Sequence, residues 1–506
     1  MSAPTFDLGN LHGGLRLVSR KDRSTRQPIQ HVPVPQQLVV PITQHAGDPA
    51  HPVVGIGERV LKGQLIAESD GQISAPVHAS SSGKVVAIEP WPVSRRLGGN
   101  APCIVIECDG EDRAVELPEA IVPFETLDQD VLFQKILQGG IVGLGGAVFP
   151  TAQKLMHASI TPLEHLVLNG VECEPDISCD DMLMREQADE ILAGAQILMH
   201  ALGVAHCYVA VESDKPEAIR AIAGVLNELQ DERIVIKQVP TIYPSGAEDQ
   251  LVQLVTSKEV PSGGLPTDVG CVVQNVATAA AVYRWISKGE PLISRVTTVT
   301  GDGINAPMNV FARIGTTVAD IVNFVGGYAE GVRHLVIGGP MTGKSVSNDR
   351  VPLVKATNCI LALMGAPQVT AEQPCIRCGD CAAACPVQLL PQQLFWYACA
   401  DNEAKLRSHG LMDCIECGCC DLVCPSHIPL TADFRMAKAR MRELADEVAR
   451  AERARERYVA HTERLEKEQI MREQQLEAQK QAARDAGPNA IKEILERTGK
   501  GDPGEE

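Results

Sequence analysis

Cys375-Ile-Arg-Cys378-Gly-Asp-Cys381-Ala-Ala-Ala-Cys385-Pro386 and Cys414-Ile-Glu-Cys417-Gly-Cys-Cys420-Asp-Leu-Val-Cys424-Pro425 repeat one pattern, C-x2-C-x2-C-x3-C-P, within residues 375–425. The spacing has a mechanical meaning. Three thiolates separated by two residues, on a loop folded around a cube, each reach a different iron of a [4Fe–4S] cluster. The fourth cysteine precedes a proline, which the first turn of a helix tolerates because its missing N–H would be unpaired there. Zinc sites use paired C-x2-C hooks rather than four cysteines closed by a proline. Disulfides require an oxidising compartment, to which this chain shows no route. Cys419 falls out of register and reads as a buried bystander.

The pattern resembles that of bacterial two-cluster ferredoxins, in which the fourth cysteine of each run serves the other cluster. That resemblance implies Cys375, Cys378, Cys381 and Cys424 as ligands of one cluster. It implies Cys414, Cys417, Cys420 and Cys385 as ligands of its neighbour.

Working outward, 506 residues suit about three or four domains, and 44% hydrophobic residues suffice for several cores. A formal charge of -18 argues against nucleic acid as a partner. The start of the chain lacks the basic and apolar regions of a signal peptide. No apolar run approaches the ~20 residues of a membrane span. Of 17 cysteines, those outside the two runs, such as Cys103, Cys207 and Cys271, lie mostly in apolar segments, as reduced thiols do.

The expected fold is multidomain, α/β and α+β. Residues 1–35 read as an extended arm. Residues 36–110 carry short β-type runs broken by glycine and proline. Gly57-Glu-Arg-Val-Leu-Lys-Gly-Gln and Ser74-Ala-Pro-Val-His-Ala-Ser-Ser-Ser-Gly resemble the barrel-sandwich fold of biotinyl and lipoyl carriers. The tip near Asp70-Gly71 lacks their modified lysine, so no swinging arm is expected.

Residues 111–292 alternate strands (His165–Val171, Cys207–Val211, Arg233–Val239) with helices over 179–202 and 215–229. This predicts a parallel α/β sheet with ligands at the strand ends. Residues 293–365 read as a β-grasp unit with a helix near Val318–Val325. Residues 366–432 form the cluster domain, and 433–506 a charged helical or disordered tail. Gly338-Gly-Pro-Met-Thr-Gly343-Lys344-Ser345 matches a P-loop literally. It continues as Val-Ser-Asn-Asp-Arg-Val-Pro352, β-type rather than helical, so it reads as a loop packed towards the clusters, not an ATP site.

Gly139-Gly-Ile-Val-Gly143-Leu-Gly145-Gly146-Ala147-Val-Phe149-Pro150-Thr151 opens a helix through Lys154. Glycines admit a flat ring or a phosphate to the backbone, and a helix start favours an anion. Asn169-Gly-Val-Glu172-Cys-Glu174-Pro175, Tyr243-Pro-Ser-Gly246-Ala-Glu248 and Gln274-Asn275 fall at predicted strand ends or in loops, where a parallel sheet would gather them.

Together these motifs resemble the flavin- and NADH-binding subunit of respiratory complex I. The domain order over 30–432 is similar to the C subunit of the Rnf electron-transport complex. The resemblance implies a non-covalent FMN lined by Gly143, Gly145, Gly146 and Ala147, with Phe149 stacked on the nicotinamide dinucleotide. Lys154 would serve phosphate or ribose. Asn169 and Asn275 would hold flavin polar atoms, and Glu172, Glu174 and Glu248 would orient NAD(H). Tyr243 and Gly246 complete the cofactor-binding set. The complex I pattern has arginine where Leu144 stands, glycine where Val148 stands, and an acid where Ala247 stands.

NADH releases electrons in pairs and a cubane carries one at a time; a flavin does both, which explains FMN and iron–sulfur ligands on one chain. The resemblance implies reversible exchange between NADH and ferredoxin, or a ferredoxin-like subunit. The chain would lie peripherally on the cytoplasmic side of the inner membrane, among the other subunits of an ion-translocating complex. Three alternatives stay open. One is a diaphorase subunit of a soluble hydrogenase or dehydrogenase, and another is a relative of the A subunit of the sodium-pumping NADH:quinone oxidoreductase, which lacks the cysteine runs. The third is a relay scaffold whose flavin pocket is vestigial.

Overall fold

The computed structural model describes residues 12–94, 99–116, 122–365, 371–485, 487 and 492–493. The arm is tied down at several points between residues 13 and 31. Its strand β1 (Gln30–His31) pairs in parallel with a strand near residue 310.

Seven short strands follow: β2 (Gln37–Pro41), β3 (His51–Pro52), β4 (Arg59–Val60), β5 (Leu65–Glu68), β6 (Val77–His78), β7 (Gly83–Pro92) and β8 (Asn100–Cys108). They make one sheet in the order β2-β8-β7-β4 and a second in the order β3-β5-β6. Leu38, Val40, Ile66, Val85, Ile104 and Ile106 fill the space between them.

The flavin-type unit is a four-stranded parallel sheet of β9 (His165–Gly170), β10 (His206–Glu212), β11 (Ile234–Val239) and β12 (Cys271–Asn275), in the order β11-β10-β9-β12. These strands are near-continuous apolar runs because helices cover both faces of such a sheet. The helices are α1 (Gln129–Gln138), α2 (Thr151–Ala158), α3 (Cys179–Glu186), α4 (Ala188–Leu202), α5 (Pro216–Leu229), α6 (Glu248–Thr256) and α7 (Val276–Lys288). The single helix expected over 179–202 is therefore two. Gln187 leaves helical geometry at φ -136°, and its side chain accepts from Arg284 on α7. Neither glycine nor proline marks that break, so apolar periodicity runs through it unseen.

A mixed sheet comes next, in the order β1-β14-β13-β17-β15-β16. Its new members are β13 (Ser294–Thr300), β14 (Met308–Arg313), β15 (His334–Ile337), β16 (Lys344–Val346) and β17 (Cys359–Leu363), with α8 (Val318–Phe324) packed on it. No helix follows the P-loop-like sequence. Lys344–Val346 instead returns antiparallel along β15. The cysteine-bearing region holds α9 (Asp380–Ala383), α10 (Pro391–Cys399), α11 (Glu403–Ser408) and α12 (Cys419–Leu422). A last helix, α13, spans Leu430–Asp485. From Arg435 onward the chain is a second unit, in which the helix is charged on all sides and carries i,i+4 pairs such as Arg464–Glu468. Among the described residues no helix is long and apolar enough to cross a membrane.

Candidate functional site

The parallel sheet reverses its winding between β9 and β12, since β10 and β11 extend one way and β12 is added on the other side. Ligand crevices open beyond the strand ends at such a point. Asn169 and Asn275 are register partners there. Asn275 caps α7, its Oδ1 accepting the Ala277 N–H at 2.9 Å, while its Nδ2 donates to Asp180 at 2.6 Å. Asn169 donates to the Gly246 carbonyl at 2.9 Å and accepts the Val171 N–H at 3.0 Å. Both amides are thus fixed in orientation. Gly246 sits where a Cβ would come 2.7 Å from the Val171 carbonyl, so the two loops meet backbone to backbone.

The glycine loop closes on itself through Gly143 N–H to the Phe149 carbonyl (2.9 Å) and Thr151 N–H to the Ile141 carbonyl (3.0 Å). Its tip, Gly145–Ala147, is exposed, with Phe149 half-buried behind it. A Cβ on Gly145 would lie 3.4 Å from that of Asn275, which places the tip over the crevice. Gly146 has φ +114°, which favours glycine, and open space lies where its side chain would be. That exposed, side-chain-free cradle above two fixed amides fits a flat ring. Val148 has φ +47°, a left-handed conformation unfavourable for a β-branched residue. It stands where the related pattern has glycine.

Two buried cations hold the loop from below. Lys355 donates to the Gly140 carbonyl at 2.7 Å and to the Pro76 carbonyl at 3.0 Å. Arg295 reaches the Leu144 carbonyl at 3.4 Å, and Leu144 N–H donates to Thr278 at 2.9 Å. Burial pushes the Lys355 ammonium down to about 7. Thr278 falls in the motif that begins at Gln274, but none of Lys355, Arg295 or Asp180 was apparent from sequence. Their contacts join positions far apart in the chain, and only the tendency of buried charge to be partnered pointed to them.

The acids divide. Lys154, on α2, pairs with Glu248 at 2.6 Å and donates to the Val273 carbonyl at 2.8 Å, so both stand at the crevice rim. Glu172 is buried under it, accepting the Asp180 N–H at 3.0 Å and the Cys179 thiol at 3.3 Å. Burial first, then the neighbouring Asp180, pushes its carboxyl up to about 7 against the pull of Lys21. Glu172, Cys179 and Asp180 have ligand atoms within 4.8 Å of one another. The donors already on Glu172 and Asp180 make this a hydrogen-bonded acid pair.

Two residues of the expected cofactor-binding set, Glu174 and Tyr243, bond to other parts of the chain. Glu174 is turned away, accepting Met341 N–H (3.0 Å), Thr342 N–H (2.9 Å) and the Thr342 hydroxyl (2.7 Å) from the P-loop-like segment. With three donors on a buried carboxylate, it serves as an anchor for that loop. Tyr243 is buried too, and its hydroxyl donates to the Cys417 carbonyl at 2.6 Å. It faces a cysteine run, not the crevice.

The cysteines form two groups. Cys375, Cys378, Cys381 and Cys424 line one cavity with Phe395 and Ile428. Cys385, Cys414, Cys417 and Cys420 line the other with Pro391 and Phe434. Each cavity thus takes three cysteines from one run and the last from the other. Four thiols converging in a mostly apolar cavity suit a sulfur-ligated cluster. Cys419 is buried at its edge, with its sulfur towards the Tyr243 carbonyl.

Three family models match the domains that surround the crevice. Residues 136–284 match the Nuo51 FMN-binding domain, 9–111 the RnfC barrel sandwich hybrid domain, and 296–345 the SLBB domain. The C subunit of the ion-translocating oxidoreductase complex of Pseudomonas aeruginosa is 48% identical over 91% of this chain and 59% of its own length. The protein of the same name from Haemophilus influenzae strain PittEE is 41% identical over 91% of this chain and 71% of its own. The chain belongs to this family of C subunits. It carries the FMN-binding, barrel-sandwich hybrid and SLBB domains matched above. It spans 59, 54 and 56% of the length of the relatives from Pseudomonas aeruginosa, Pasteurella multocida and Haemophilus influenzae strain Rd. An NAD+-reducing [NiFe]-hydrogenase structure aligns over 62% of this chain and 63% of its own at 18% identity and a TM-score of 0.45.

Proposed function

We propose that this protein oxidises NADH, and reversibly reduces NAD+, passing electrons between a non-covalent FMN and two [4Fe–4S] clusters. Ferredoxin, or a ferredoxin-like subunit of the membrane complex, is the partner beyond them. One observation carries the reading: the glycine cradle and the paired asparagines open at a strand-end crevice, and the next loop, at Tyr243, touches a four-cysteine cavity. FMN supplies the conversion between paired and single electrons.

The chain's own residues orient and insulate. Gly143, Gly145, Gly146 and Ala147 admit the ring, Asn169 and Asn275 fix its polar edge, and Phe149 covers the dinucleotide. Lys154, released from Glu248, meets a phosphate or ribose, and Glu248 then faces the ribose hydroxyls. Glu172, poised near neutrality and accepting the Asp180 N–H, holds a proton under the crevice. Gly246 holds the crevice wall. The two cysteine sets are the cluster ligands, crossed as their cavities are. Peripheral attachment at the cytoplasmic face of the inner membrane follows from the partner assignment.

The test is anaerobic purification, flavin and iron assay, then NADH addition. One FMN, about eight irons from two cubanes and NADH-dependent bleaching of the clusters are expected. Full clusters with neither FMN binding after reconstitution nor bleaching would leave only an electron relay.

A further inference from the structure

The arm makes its first described contacts at the cavity of Cys385, Cys414, Cys417 and Cys420. Gly13, at φ +60°, lies so close to Cys385 that a Cβ there would stand 2.6 Å from the Cys385 carbonyl oxygen. Gly14 N–H donates to the Ala384 carbonyl at 3.0 Å. Leu15 then exchanges two backbone hydrogen bonds with Tyr243, at 2.8 and 2.9 Å. Leu15 and Leu17 cover an apolar cluster of Tyr243, Ala384, Cys417 and Cys419. The arm's other end is tied down separately. Arg20 bonds buried Asp176 at 2.8 Å, Ser24 bonds Ser178 at 2.7 Å, and β1 joins the mixed sheet. One strand of chain thus holds the last cysteine of the first run against the flavin-side loop.

We propose that Gly13–Leu17 is a positioning strap for the cluster held at this cavity, fixing the Cys385 backbone and keeping water from the Tyr243–Cys417 contact. The role rests on the ligand assignment proposed above. Groups behind a metal's ligands set their orientation and the site's access to solvent, and losing them costs about 10–100-fold in affinity. Neither cavity has a described arm residue in its wall, but the arm meets the first through the Ala384 and Cys385 backbone, while Cys378 at the other is exposed. The strap therefore makes the two clusters unequal in stability.

Gly13→Ala tests it in the full chain, read as iron release to a chelator under anaerobic conditions. Gly57→Ala is the control. It also places an L residue at positive φ (+94°), with nothing within 4 Å of the new Cβ. Gly13→Ala is expected to release about half the iron roughly tenfold faster, with the other half and the FMN as in wild type. Gly57→Ala is expected to match wild type. Unchanged release, or equal acceleration of both halves with FMN retained, overturns the strap. If Gly13→Ala loses FMN through misfolding, Leu15→Ala, which removes only side-chain cover, decides by the same criteria. Should Cys385→Ser leave all iron in place, the ligand assignment fails instead.

Discussion

Between residues 371 and 434 the described chain has no strand, and its four helices before α13 hold four, nine, six and four residues. The crevice at Asn169 and Asn275 stands instead on four paired strands with an extensive apolar core beneath. In the first region the buried side chains include the cysteines themselves: Cys385, Cys417 and Cys420 are buried beside Leu394, Leu406 and Leu411. In the second, the groups proposed to meet a flavin ride on a scaffold built by the chain itself. Metal binding is folding free energy where no other core exists. A flavin on a rigid sheet contributes binding free energy but little of the fold.

Iron removal presses hardest on that contrast. Chelation is expected to unfold residues 371–434, making them the first site of limited proteolysis, while 122–300 keep native hydrogen-exchange protection. Collapse of both regions together would show that the sheet depends on the clusters, and the contrast would fail.

Gly146→Asp approaches it from the other side. The substitution places a side chain at φ +114°, where L residues are strained, and a negative charge in the open cradle. FMN retention and NADH oxidation are expected to be lost, with both clusters assembled and the thermal transition of the flavin-type domain lowered only by the backbone strain, because no protein atom meets the new Cβ. Loss of iron along with flavin would mean that the cradle and the cavities fold as one.

How much of this was legible follows from chain distance. Four thiols reach one cavity because the spacing inside each run is local, and the exchange of Cys385 and Cys424 repeats a known pattern. The strand end at Asn169 was legible because β9 is an apolar run that stops at a polar residue, whereas β12, ending at Asn275, was not among the expected strands. The partners of Glu174 and Tyr243 were not legible because they lie far along the chain, at Thr342 and Cys417. No periodicity records such a contact. The arm's ties to Cys385, Asp176 and Val310 were invisible for the same reason: mixed charge and proline look alike whether a segment is free or strapped down.

The mildest effect concerns Lys355, which sits under the crevice and belongs to its scaffold. Its Nζ bonds only the Pro76 and Gly140 carbonyls among the described residues, with His78 and His45 nearby and no carboxylate against it. The folded value of about 7 lies below the free lysine's 10.5. Between these values the unfolded chain binds the extra proton, so stability rises with pH across that window and falls away as pH drops towards 7. The transition temperature of the flavin-type domain is expected to climb between pH 7 and pH 9, by roughly a few degrees. Lys355→Met should flatten that slope, whatever the cost of leaving two carbonyls without a donor. An unchanged slope in the variant would assign the pH response to other groups and show that Lys355 stays charged, its ammonium sustained by the two carbonyl oxygens alone.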